Sequence, residues 1–571
     1  MPNAKTPVLK FWKSIFPTLI VGLWTFPNFA YGMQSDSQDP ILFAKGTPIF
    51  EARENIYEHE NGEWQNFIEA GQRHSQIYPV EVSGLFLPYD ALNNALKNQS
   101  HPYRKIFGKI FDRLLPFNDF PSVYDWMSLG YYRDQRVGGI ERPRGMPKEM
   151  RVGAGLLQTE WGSSLSFSCL SCHASQFFGT TVIGLPNKWP KANELFVLAK
   201  KAIPLVPANL FRIATQGNEK DEALFRRTQK NLHRVRPIEP ISLGVDTSLA
   251  QVGRALATRK ENAWAEPSNF FERFPRRTVF SKIRSDSKPM PWWNVKFKNR
   301  WLADGSVVSG NPIITNLLWN EIGRGTDLKE LEAWMTSNTR VIEELTTLVF
   351  ANQAPSYFDF ADVSRFDLAS AKRGEIIFKQ NCSTCHGHYE KNWNFPEASD
   401  LADQVKTKKV VYHEQTPVVN VGSEGGRNQG MRDLESPLNS LEISQRFEVQ
   451  IESQEGYVPP PLVGIFSRYP YLHNASIPNL CELLTPANLR VKDFYAGPAE
   501  NWSTDFDDDC VGYPVGRNVP QGWTQEKSWQ VHTNISGRKS IGHDQMLFNR
   551  NGIEKFSPQN KKDLISFLKT L

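Results

Sequence analysis

The sequence predicts a mainly α fold in two halves, each organised around a copy of one five-residue motif and each carrying long loop insertions. Cys-x-x-Cys-His occurs twice, as Cys169, Cys172 and His173 in FSCLSCHAS and as Cys382, Cys385 and His386 in GEIIFKQNCSTCHGH. Apolar residues recur at spacings of three and four through much of the chain, the mark of amphipathic helices. Stretches rich in proline and glycine, at residues 142–147, 184–190 and 354–359, separate those patterns.

The spacing within the motif suits one chemistry. Two cysteines three apart lie on neighbouring turns, so their sulfurs can form thioethers with the two vinyl groups on one porphyrin edge, and the next residue reaches the iron as proximal ligand. A structural zinc site needs four ligands, usually from two pairs close in sequence, whereas these pairs stand about 210 residues apart. A redox dithiol needs only the cysteines and leaves the histidine twice unexplained. The expectation is two covalently attached haem c groups in two cytochrome c-like haem domains, residues 33–355 with insertions and residues 356–571. His173 and His386 would hold the irons.

A chain of 571 residues can bury ample cores in several domains. Lys5, Lys10 and Lys13 precede an apolar run over residues 15–26, and small residues alternate in Phe29-Ala30-Tyr31-Gly32. Residues 1–32 therefore read as an export signal peptide. An uncleaved anchor is the other reading, but a span needs about 20 apolar residues, and Pro17 and Pro27 interrupt this run. Export predicts a periplasmic or secreted protein with no stable membrane insertion. Without the signal's three lysines, 66 Lys plus Arg against 61 Asp plus Glu becomes 63 against 61, which implies no nucleic acid or other polyanion. The basic run Arg226, Arg227, Lys230, His233, Arg234 and Arg236 reads as a docking face for an acidic redox partner or as a solvated helix face. Cys481 and Cys510 lie outside both motifs; in an exported protein they can be joined, two buried thiols being the alternative.

Helical patterns begin at Leu92 and Leu96, resume with Ile106, Phe107, Ile110, Phe111 and Leu114, and recur over residues 192–203, 221–233 and 316–350. The run Pro289-Met-Pro-Trp-Trp-Asn294 places Trp292 and Trp293 in a proline-flanked loop. At least one should be buried, in a core or against a porphyrin. In the second half an amphipathic helix over residues 367–380 leads into the motif. Ser557 and Pro558 are N-cap and N1 residues of a last helix with Leu564, Phe567, Leu568 and Leu571 on one face. The two helices are expected to cross near Gly374, in a manner similar to c-type cytochromes.

The far side of each iron decides its use, because two protein ligands suit electron transfer while an open position admits water, peroxide or dioxygen. His473, downstream of the second motif, is the candidate second ligand there, with a surface or core histidine the equal alternative. For the first haem, Met127, Met146, Met150 and His233 qualify only by lying in the right half. Glu160, Asp286 and Glu321 are either carboxylates that move protons or solvated surface groups.

The segment Leu462-Val-Gly-Ile465, followed by Pro470-Tyr-Leu-His-Asn-Ala-Ser-Ile-Pro-Asn-Leu-Cys-Glu-Leu-Leu484, resembles PYLHNGSVPTLxDLL of the di-haem cytochromes related to bacterial rubber oxygenases. That group is similar in turn to di-haem cytochrome c peroxidases and to the enzymes that mature tryptophan tryptophylquinone. Weaker matches are residues 494–497, Gly537-Arg-Lys-Ser-Ile-Gly-His543 and Pro291-Trp-Trp-Asn-Val-Lys296. The resemblance implies that His473 is the distal ligand of the second haem and that the haem at His173 is the oxygen-reactive centre. It also implies that Trp292 or Trp293 stands near that site or between the haems. Di-haem peroxidases carry methionine as the distal ligand of their electron-transferring haem, so a strict peroxidase is not implied. The expected function is a di-haem oxidoreductase of peroxidase or oxygenase type, partnered by a redox protein or by a small oxidant, peroxide or dioxygen. The alternatives are a non-enzymatic electron carrier with two six-coordinate haems and a haem-based sensor.

Overall fold

Helices begin where a side chain can take up the unpaired N–H groups of the first turn. Asn218 caps Glu219–Leu232 by accepting from the N–H groups of Lys220 (2.8 Å) and Asp221 (3.1 Å), and Asp221 accepts in return from the N–H of Asn218 at 2.9 Å. Asp327 caps Leu328–Ser337, and Ser557 caps Pro558–Leu568. A computed structural model describes residues 41–42, 57, 63–97, 117, 119–132, 141–241 and 243–571. The expected signal peptide and the helical pattern at residues 106–114 lie outside the described residues. Among those described, no helix is long and apolar enough to cross a membrane.

The fold is mixed, not mainly α. Small sheets stand among the helices, and two of them frame the first motif. Ala154–Thr159 pairs antiparallel with Gly162–Phe167, which also pairs with Leu87–Pro88. Ala174–Phe177 pairs antiparallel with Thr180–Ile183, which runs parallel to Ile41–Leu42. The turn between these strands is Phe178-Gly179, both at positive φ (46° and 76°), a left-handed connection that suits the twist of a tight hairpin. Strands of two to six residues carry too few alternations to stand out against a 3.6-residue pattern.

The second motif follows the helix Leu368–Asn381 and precedes the hairpin His388–Lys391 with Thr407–Val411. That helix and Pro558–Leu568 do cross at Gly374, where a Cβ would lie 1.9 Å from the carbonyl oxygen of Asp563. Arg373 donates two bonds to the Asp563 carboxylate (2.9 and 2.8 Å), and Ser370 adds a third at 2.6 Å. The surrounding core takes Phe177, Val182, Trp293 and Phe297 from before residue 355 together with Phe378, Val463 and Phe567 from after it. Packing thus runs across residue 355, and Gln38–Leu571 forms one compact unit. Cys481 and Cys510 are joined in a disulfide across 29 positions, which in the chain-entropy picture contributes about 3.6 kcal/mol.

Gly374→Val should force the crossing helices apart and lower stability by about 3 kcal/mol, read as a drop in the urea midpoint; an unchanged midpoint would show that the contact can relax.

Candidate haem-attachment site

The first motif sits on a turn that the hairpin delivers. Ser168 N–H donates to Gly153 O at 2.8 Å, and the N–H groups of Cys172 and His173 fold back onto Cys169 O (3.3 and 3.1 Å). Gly153 has φ 106°, and a Cβ there would lie 2.9 Å from Ser171 backbone, so the approach requires glycine. The turn's own carbonyls are then taken up. Gly184 N–H donates to His173 O (2.8 Å), Asn187 N–H to Cys172 O (2.9 Å) and Asn187 Nδ2 to Ser171 O (2.9 Å). The second motif repeats the turn, with Cys385 and His386 N–H on Cys382 O (3.1 and 3.0 Å).

Both histidines are oriented in the same way. His173 Nδ1 lies 3.0 Å from Met290 O, and His386 Nδ1 lies 2.8 Å from Pro460 O. A carbonyl only accepts, so each proton sits on Nδ1 and each Nε2 keeps its lone pair, the arrangement a metal-binding imidazole needs. Desolvation holds both rings neutral, lowering their pKa to about 4, yet neither residue is fully closed to solvent. The four cysteines beside them are unbridged. Burial pushes the thiols up to about 11 at Cys169 and about 12 at Cys172 and Cys382, unlike the depressed thiolates of a redox pair. Among the described residues no three His, Cys, Asp or Glu side chains converge where an ion could sit. The donor set at each motif, two thiols and one neutral imidazole with a free Nε2, fits covalently attached haem.

Near His386 the structure brings a residue that spacing did not single out. The His543 ring centre stands 6.4 Å from that of His386, with 41° between the planes. Two imidazoles on opposite faces of one metal stand about 6.3 Å apart, since a metal–nitrogen bond is about 2.0–2.1 Å and the ring centre lies about 1.1 Å beyond the nitrogen. His543 Nδ1 is buried without a hydrogen-bond partner, an arrangement that is costly unless another group completes it. Burial, followed by the charges of His386 and Arg490, lowers its pKa to about 3. The only trace of His543 in the sequence was the weak 537–543 match. The His473 ring stacks on Tyr457 at 4.0 Å, and its Nδ1 lies 3.4 Å from Ser423 Oγ. The two regions adjoin, because a Cβ on Gly542 would meet Leu472 and Ser423 at 3.0 Å.

The tryptophans divide between the motifs. Trp292 packs beside His173 with ring centres 5.5 Å apart. Trp293 is fully buried and donates Nε1–H to Val463 O at 2.9 Å, in the segment that follows Pro460. Met127, Met146 and Met150 belong to one apolar core with Tyr89, Phe120 and Tyr124, and Met150 Sδ accepts from Tyr124 OH at 2.8 Å. His233 and Glu160 are exposed. Glu321 is buried and already engaged by the hydroxyls of Tyr78, Ser83 and Thr326, so it is a structural acceptor. Asp286 is also buried: one oxygen accepts Ile241 N–H at 2.8 Å, the other has no partner, and burial raises its pKa to about 6. The basic run is largely tied down, with Arg226 on Glu222 (2.6 Å), Arg227 on Glu330 (2.6 Å) and Arg234 near Glu272 (3.6 Å).

The neutral histidines set a pH dependence. The unfolded rings take up protons from about pH 6.5, whereas His173 and His386 resist until about 4 and His473 and His543 until about 3. Their contribution is complete above pH 6.5 and is lost as pH falls, by up to about 1.4 kcal/mol per unit for each group. Urea midpoints of the haem-free chain should therefore fall steadily from pH 7 to 4.5; a flat profile would mean that the rings protonate freely in the folded protein.

A family model described as RoxA-like, cytochrome c-like matches residues 456–495, the segment that carries Pro460 and His473. Two uncharacterised proteins of Sinorhizobium fredii (strain NBRC 101917 / NGR234) are similar. The protein y4iM is 29% identical over 221 residues, 36% of this chain and 49% of y4iM. The protein y4iJ is 31% identical over 123 residues, 21% of this chain and 19% of y4iJ. The chain thus spans about half of the first relative and a fifth of the second. The family match relates the segment to the cytochromes c, and a cytochrome c-like segment implies covalently bound haem c.

Proposed function

We propose that the chain is an exported di-haem c-type cytochrome of the rubber oxygenase and di-haem peroxidase kind, acting as an oxidoreductase on peroxide or dioxygen. Each motif-bearing half, residues 33–355 and 356–571, would attach one haem. The observation that carries this reading is the pair of Nδ1–H bonds to Met290 O and Pro460 O, which leaves two neutral imidazoles with free Nε2 beside two pairs of unbridged thiols. Bound haem would supply one-electron chemistry and, at an open coordination position, a place for the oxidant.

The chain's own residues divide the roles. His543 is assigned opposite His386 in place of His473, on the 6.4 Å separation of the rings. Among the described residues no histidine ring stands opposite His173 in the same way, which favours an open position there. Trp292 beside His173 and Trp293 bonded to the strand of residues after Pro460 are consecutive, so one covalent step links the surroundings of the two motifs. That is a short route for an electron. Of the three candidate carboxylates, Asp286 is the one that is both buried and incompletely bonded, and it is best suited to hold a proton.

Absorption and electron paramagnetic resonance of the purified holoprotein test the reading. One low-spin and one high-spin haem per chain are expected, the high-spin signal changing when peroxide is added. Two low-spin haems indifferent to peroxide would sink the enzyme and leave an electron carrier. His543→Ala should abolish the low-spin signal while His473→Ala retains it, and the reverse pattern would return the ligand to His473.

A further inference from the structure

We infer that the face formed by residues 269–284 docks the protein on an anionic lipid bilayer. Phe270 and Phe274 are 64% and 56% exposed with ring centres 5.5 Å apart. They project from the helix Asn269–Arg273, which buries none of its residues. The projection is built rather than frayed. Ser268 Oγ accepts Phe271 N–H at 3.3 Å, Phe274 N–H donates to Phe270 O at 2.7 Å, Arg276 N–H donates to Ala257 O at 2.9 Å, and Arg236 holds Glu272 O. Two large apolar rings held outward by a fixed turn are costly in water unless another surface covers them.

Charge indicates which surface. Arg273, whose guanidinium lies 5.3 Å from the Phe274 ring centre, and Arg277, Lys282 and Arg284 in the same segment are exposed, together with Pro275. The neighbouring acids are occupied: Glu272 faces Arg234, Glu261 faces Arg276, and Asp433 accepts from Thr278 and Val279. A cavity of about 390 Å³ is lined by the 280–284 end of the same segment, with Ile238, Phe280 and Ile283 in its wall and Arg254, Lys282 and Arg284 among its polar residues. Glu239, the one acid among its lining residues, lies 3.8 Å from Lys201. Arg254 is crowded by Arg236 and Arg284, which adds to desolvation in lowering its pKa. Three cations against one lining acid, itself near Lys201, leave a net positive face that calls for an anion. Aromatic rings at the tip and cations around them match the layering of a bilayer interface, acyl boundary beneath phosphate. An acidic protein would also need a pocket shaped to the projecting pair, whereas a bilayer deforms around it. The inference does not rest on the redox reading.

The test is co-sedimentation of the full holoprotein with vesicles of phosphatidylcholine alone or with one third phosphatidylglycerol. Binding is expected only with phosphatidylglycerol, and high salt should weaken it about tenfold or more. Phe270→Ser with Phe274→Ser, and separately Arg273→Ser with Arg277→Ser, should each lower the partition coefficient about tenfold. Their haem spectra should be unaltered. Leu489→Ser, at a residue 69% exposed elsewhere on the surface, should bind as the wild type does. Failure of the wild type to sediment with either vesicle overturns the inference and gives the face to an acidic protein partner. Equal binding by the Phe double variant overturns it as well.

Discussion

The arrangement depends on two carbonyl groups that each precede a proline. Met290 is followed by Pro291 and Pro460 by Pro461, and each carbonyl accepts the Nδ1 proton of a motif histidine. Proline has no N–H and restricts the residue before it to extended conformations, so Met290 and Pro460 themselves stay outside helices and sheet ladders, the 3-10 helix Trp292–Phe297 starting only after Pro291. Their carbonyls stay available to side chains. A histidine fixed by such a bond cannot turn its protonated nitrogen towards the metal side, and the tautomer is set before any ligand arrives.

Irregular segments of this kind must have their backbone groups satisfied by other means, and here buried side chains do it. Lys188 Nζ donates to Ser467 O and Tyr469 O (3.1 and 2.8 Å), and Lys288 Nζ donates to Arg468 O and to Pro470 O (2.6 Å). Asn294 Nδ2 reaches Pro461 O at 3.2 Å, as does Arg468 at 2.8 Å. Burial lowers the pKa of both lysines well below the ordinary value. These bonds substitute for a sheet ladder between residues 186–188, 288–294 and 461–470, and they explain how long cationic side chains come to lie in a core. The cost of desolvating them is offset only because each ammonium meets several carbonyls.

Much of this was legible in sequence, and the exceptions have physical causes. The motifs, the crossing at Gly374, the cap at Ser557 and the helices of residues 192–202, 219–232 and 312–351 follow from local spacing and capping chemistry. The small sheets were hidden because their strands are short, and the mixed fold follows from them. The Met290 and Pro460 carbonyls were hidden because every residue has a carbonyl; only the following proline hints that these two are free. His543 lies more than 150 positions from His386, and nothing in either neighbourhood encodes their meeting. His473 drew attention because its segment carries the family resemblance; its stacking on Tyr457 had no signal in the sequence.

Two identical motifs can do different work only if their surroundings differ, and they do. The first is braced from below by a closed polar network, in which Glu321 gathers Tyr78, Ser83 and Thr326 and Arg324 reaches Phe167 O at 2.8 Å, just ahead of Cys169. Both oxygens of Glu321 are engaged there, so this carboxylate serves the fold and not proton transfer. The second is faced by a ring from the loop at residues 537–543, held where His543 N–H meets Val421 O at 2.6 Å. Under the proposed function, a braced turn with no histidine ring paired with its own among the described residues suits an iron that must admit a small oxidant. A histidine already met by a second imidazole suits one that only exchanges electrons. The consecutive tryptophans join the two environments, so under that reading any distinction between two haems would rest on what the fold brings beside each motif and not on the motifs themselves.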